Sequence, residues 1–111
     1  MALFIVRVEL HEVNSQKPSG EDYSELHLAM QRRQYFRVIK ADEGKWYHLP
    51  HAEYTVTWDA TRKDVLDEVV GIAASVWQKA GVLVTESKGC TWRGLKEASA
   101  SQVNHLTRTD V

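Results

Sequence analysis

The chain has 111 residues, of which 43% are hydrophobic and 26% charged, and its formal net charge is -1. That length fits one domain, the composition excludes a disordered chain, and the near-neutral charge excludes a global basic field as a source of nucleic-acid binding. The single cysteine, Cys90, excludes an intramolecular disulfide, and the apolar run Leu3 to Val6 has neither the length nor the basic flank of a leader or membrane span. The expectation is therefore a cytoplasmic protein with no membrane partner.

In chain order, Leu3 to Leu10 alternates Phe4, Val6, Val8 and Leu10 against Arg7 and Glu9, which predicts a half-buried strand. His11 to Gly20 is rich in turn formers, and Ser19 with Asp22 three residues on predicts a helix N-terminus. Tyr23, Leu26, His27 and Met30 recur at helical spacing, so this helix runs from near Gly20 to near Arg33. Tyr35 to Lys40 and Trp46 to Leu49 then read as a hairpin turned at Asp42, Glu43 and Gly44. Beyond the break at Pro50, Ala52 to Trp58 alternates again.

The strongest periodic signal follows, with Thr61 and Asp64 as a cap and Val65, Val69, Ile72, Ala73, Val76 and Ala80 as one stripe. Lys79 and Gly81 suit the C-terminus of that helix. Val82 to Glu86 predicts another strand and Thr91 to Leu95 a final edge strand. The order predicts an α+β, ferredoxin-like split β-α-β sandwich: a four- or five-stranded antiparallel sheet with two helices on one face and the other face open. The domain is placed at residues 1–97, with 98–111 as a mobile tail.

Candidate chemistry follows from residue type. Glu9, His11 and Glu12 cluster at the end of the first strand, while His48 and His51 flank Pro50. Imidazoles titrate near working pH, so His11, His48 and His51, with Glu9 beside them, could supply the acid and base of a metal-independent ribonuclease. A solvated strand end is the plain alternative for Glu9 and His11, and His27 on the apolar stripe reads as a hydrogen-bonded core histidine. No Cys-x-x-Cys or His-Glu-x-x-His pattern accompanies these histidines, so no metal and no cofactor is predicted.

Arg32, Arg33, Arg37 and Lys40 fall in a stretch without acids and interleave with Tyr35 and Phe36. Cations neutralise phosphates and rings stack on bases, so this is the candidate RNA-binding segment; Arg32 and Arg33 equally suit a helix C-terminus. Lys88, Arg93 and Lys96 around Trp92 form a second basic-aromatic patch.

Several segments carry a family resemblance: Val8-Glu9-Leu10-His11, Asp22-Tyr23 with Leu26-His27 and Ala29-Met30, Trp46 to Pro50 with Ala52-Glu53-Tyr54, Thr61-Arg62 with Val65-Leu66, and Val82 to Glu86. Across roughly residues 2–97 the chain resembles the small bacterial and prophage proteins grouped with the endoribonuclease antitoxin GhoS. GhoS is ferredoxin-like, is related to the CRISPR-associated Cas2 nucleases, and silences a membrane toxin by cutting its messenger RNA. The resemblance implies that fold and an RNA-directed role in a toxin-antitoxin or mobile-element system. No aspartate follows the first strand here, which departs from the Cas2 metal pattern. The expected state is a homodimer paired through the open sheet face or an edge strand. The alternatives are a non-catalytic protein that neutralises a protein partner, and a small-ligand binder using the cleft beside His48 and His51.

Overall fold

The computed structural model describes residues 2–99. Its elements are β1 (Ala2–Leu10), α1 (Gly20–Arg32), β2 (Val38–Lys40), β3 (Trp46–His48), β4 (Glu53–Trp58), α2 (Arg62–Val76) and β5 (Ala80–Ser87). β1 is the centre of a three-stranded antiparallel sheet in the order β4-β1-β5. Val6 sits between Tyr54 of β4 and Val84 of β5.

Alternation decides which face is buried. Phe4, Val6, Val8 and Leu10 point to one side, with Tyr54 and Val56 beside them, and all are buried. Leu26 and Met30 of α1 and Val65, Val69, Ile72 and Ala73 of α2 close over that side, so both helices lie on one face. Each helix starts where its cap dictates. The Asp22 backbone N–H donates to Ser19 Oγ at 3.2 Å and the Ser19 N–H donates to Asp22 Oδ2 at 2.7 Å. Thr61 and Asp64 repeat the arrangement at 3.1 and 2.9 Å, which holds the exposed Asp64 carboxyl below its usual range.

The second helix stops sooner than its stripe predicts. Trp77 caps α2 in an extended conformation, and its indole N–H donates to the His11 carbonyl at 2.7 Å. That bond pulls the chain into β5 at Ala80, so Gly81 is a strand residue opposite Glu9 rather than a helix cap. A Cβ on Gly81 would come within 3.1 Å of His11 Nε2, so the absence of a side chain there makes room for the imidazole.

The face away from the helices is not fully open. β2 and β3 form a separate two-stranded sheet, joined to β4 through a Phe36–Thr55 bridge. Thr55 faces away from the helices, yet it is buried because its hydroxyl donates to the Val38 carbonyl at 2.5 Å. The hairpin thus folds over part of this face.

The strand predicted at Thr91 to Leu95 does not form. The chain pairs slightly later, where the His48 N–H donates to the Lys96 carbonyl at 2.8 Å and the Ala98 N–H to the Trp46 carbonyl at 2.9 Å. Ala98, predicted to open a mobile tail, is buried beside β3. Residues 100–111 of that predicted tail lie outside the described residues. Among the described residues no helix is long and apolar enough to cross a membrane.

Candidate functional site

A tight turn presents His51. The Glu53 N–H donates to the Pro50 carbonyl at 3.2 Å, and Ala52 takes φ 60, a left-handed conformation that costs an alanine roughly 1 kcal/mol. Ala52 is buried, and its carbonyl accepts from the Val8 N–H at 3.1 Å, so β1 holds the strained turn in place. His51 sits exposed at its tip.

Its ring meets α1. Tyr23 and His27 are four residues apart and so share a helix face. The His51 ring lies 4.5 Å from that of Tyr23 and 5.5 Å from that of His27, nearly perpendicular to the latter. Tyr23 is itself fixed, because its hydroxyl accepts from the Leu10 N–H at 3.1 Å. Below, Tyr54 Oη lies 2.6 Å from His27 Nδ1.

Burial, then the Arg37 guanidinium and then His51, push the His27 imidazole down to about 4. Burial also raises the Tyr54 phenol. Both groups are therefore neutral at pH 7 and share one hydrogen bond between Tyr54 Oη and His27 Nδ1. Arg37 is exposed, and its charge is felt at both groups. Two imidazoles and two phenols thus meet from α1, the turn before β4 and β4 itself, and the charge of Arg37, from the residues before β2, acts on His27 and Tyr54. A cation beside a solvent-exposed imidazole can hold a phosphate and move a proton.

The other sequence candidates lie elsewhere. His11 Nδ1 is 3.1 Å from Glu9 Oε1, and this pair lies on the sheet face away from the helices, over Gly81. His48 belongs to β3, opposite Val38. The expected convergence of His11, His48 and His51 is thus corrected: His51 turns to the helix layer, and strand alternation sends His11 the other way. Tyr35 is corrected as well. It is buried, with its hydroxyl donating to Glu68 Oε1 at 2.8 Å, so it offers no face for a base.

The basic segment divides. Arg32 and Arg33 line a groove between α1 and α2 with Asp67 and Glu68, Arg37 joins the histidine cluster, and Lys40 Nζ sits 5.8 Å from the Trp46 ring. Sequence reasoning placed His27 correctly as a hydrogen-bonded histidine but did not link it to His51. Tyr23 and Tyr54 went unremarked as site residues, although the Tyr23–His27 spacing was a visible signal.

A separate cleft of about 630 Å³ lies between the β2–β3 hairpin and residues 87–95. Tyr47 and Trp92 meet there edge to face at 5.6 Å, with Lys40, Lys88 and Arg93 among the lining groups. Tyr47 there is raised by its hydrogen bond to Glu43, but the large displacements, at His27 and Tyr54, are in the histidine cluster, where an acid-base function is sought first. Among the described residues no group of three or more His, Cys, Asp or Glu side chains is placed to hold a metal ion. No protein-family model matches the chain, and no curated protein or solved structure was found to be similar to it.

Proposed function

We propose that the chain is an RNA-directed cytoplasmic protein of GhoS-like, Cas2-like type, a metal-independent endoribonuclease of a toxin-antitoxin or mobile-element system. The observation that carries this reading is the packing of the exposed His51 ring on the His27–Tyr54 pair, within the field of the Arg37 charge. A ferredoxin-like fold is supported by the element order and by the central place of β1 between β4 and β5.

In the proposed reaction Arg37 neutralises the scissile phosphate and Tyr23 offers a ring to the adjacent base. His51 takes the proton of the 2'-hydroxyl. The freed oxygen attacks the neighbouring phosphorus, the bond from phosphorus to the 5' oxygen breaks, and that oxygen takes a proton from water. The product pair is a 2',3'-cyclic phosphate and a 5'-hydroxyl. His27 and Tyr54, neutral and hydrogen-bonded, position the His51 ring.

The test is to incubate the protein with a mixed RNA pool, with and without a chelator. Chelator-insensitive cleavage that falls about 100-fold or more in His51→Ala supports the reading. Undiminished cleavage in that variant, or none by the wild type, overturns it.

The volume and aromatic lining of the Tyr47–Trp92 cleft favour a second reading, a non-catalytic binder of a small planar anion, since such sites typically span about 300 to 1,000 Å³. Binding of nucleotides lost in Trp92→Ala, without any RNA cleavage, would select it.

A further inference from the structure

The outer edge of β5 is unpaired among the described residues, because the sheet ends there in the order β4-β1-β5. Which backbone groups it presents follows from the ladder. The Val8 N–H donates to Ala52 on the β4 side, and the His11 N–H donates to Lys79 on the β5 side. Even-numbered residues of β1 thus spend their backbone groups on β4 and odd-numbered ones on β5. In β5 the partners of the odd residues are Gly81, Leu83, Thr85 and Ser87. Ala80, Val82, Val84 and Glu86 therefore aim their N–H and C=O groups outward. Of the devices that blunt an edge, proline and lysine are absent from this strand, and its sole charge is Glu86 near its end.

Apolar side chains flank the same edge. Leu83 is 64% exposed on the face away from the helices, and on the helix side Leu66 borders a groove with Val82 and Val84. Val70, one turn along α2 from Leu66, is 49% exposed.

We infer that this edge pairs with the β5 edge of a second copy, antiparallel, about a two-fold axis at Leu83. The strand is its own complement in this register. Val82 meets the partner's Val84, both with outward backbone groups, and Leu83 meets the partner's Leu83 as a close pair that bonds no backbone groups. Glu86, the sole charge of β5, faces the partner's Ala80, so no like charges oppose one another. Shifting the axis to Val84 would set Glu86 against the partner's Val82 and lose the leucine pair. Two three-stranded sheets then become continuous, with Leu66 of each copy beside the seam. This inference is independent of the RNA reading.

Register-specific crosslinking tests it. In a Cys90→Ser background, Leu83→Cys should form a disulfide-linked dimer on mild oxidation, because Cα atoms of such a pair lie about 4.5 Å apart. Thr85→Cys should not, being several residues from its own copy. The wild type should sediment as a dimer at high micromolar concentration, and Leu83→Lys should weaken it about 100-fold. Leu28→Lys, at an exposed leucine of α1, serves as the control and should leave the dimer intact. A monomeric wild type, equal crosslinking at both positions, or a dimer as sensitive to Leu28→Lys as to Leu83→Lys would overturn the proposal.

Discussion

The two sides of the central sheet are built on different rules. On the helix side, Phe4, Val6, Val8, Tyr54 and Val56 meet stripes from α1 and α2, and every contact follows from a repeat of two or of 3.6 residues. On the other side a short hairpin is tied to β4 by individual hydrogen bonds such as Thr55 to Val38, and the segment after β5 is tied in turn to β3 of that hairpin. The histidine cluster stands at the rim of the helix side, where a strained turn brings His51 against α1. Periodic packing supplies the platform, while single bonds and turns aim the groups to which we assign chemistry.

The sharpest way to break the helix side is Val69→Asp. Val69 is fully buried, and an unpaired carboxylate there should cost more than about 4 kcal/mol and unfold the domain. A thermal melt like that of the wild type would contradict the packing described. By contrast, His51→Ala at the exposed tip should move stability by less than about 0.5 kcal/mol while removing cleavage, so melts and turnover should part company.

Arg37 should likewise separate from its neighbours. Arg37→Ala should weaken RNA binding and flatten its salt dependence by about one phosphate contact, whereas Arg32→Ala with Arg33→Ala, in the groove beside Asp67 and Glu68, should do neither. Equal losses in the two variants would mean that the whole segment acts as one patch.

Smaller effects test the pair beneath His51. Tyr54→Phe removes the hydrogen-bond partner of His27 Nδ1 and should cost about 1 kcal/mol, read from denaturant midpoints. His27 adds a pH signature. Its folded pKa is about 4 against 6.5 for the free side chain, so below pH 6.5 the unfolded chain binds a proton that the folded chain refuses. Stability from this group is complete above pH 6.5 and declines as pH falls toward 4. In His27→Gln that part of the slope should vanish, and an unchanged slope would deny the depressed pKa.

These contrasts match what a single sequence can reveal. The capping pairs Ser19–Asp22 and Thr61–Asp64, the stripe of α1, that of α2 as far as Val76 and the alternation of β1 are local patterns, and each forms where it was expected. The end of α2 was not legible, because a distant bond from Trp77 to His11 decides it. The pairing of residues 96–98 with β3 was hidden for the same reason. At the site, His51 was recognised by residue type, but its partners Tyr23, His27 and Tyr54 come from segments that no periodicity connects. Arg37 was visible as part of a basic run and not as the member of it whose charge acts on His27.

The most direct measurement follows the histidine ring signals by NMR while an uncleavable single-stranded RNA is added at constant pH. The His51 resonances should move most, those of His27 should follow through their ring contact, and those of His11 and His48 should stay in place. Shifts confined to His11 or His48, or none at His51 while RNA is bound, would contradict the assignment of the phosphate site to Arg37 and His51.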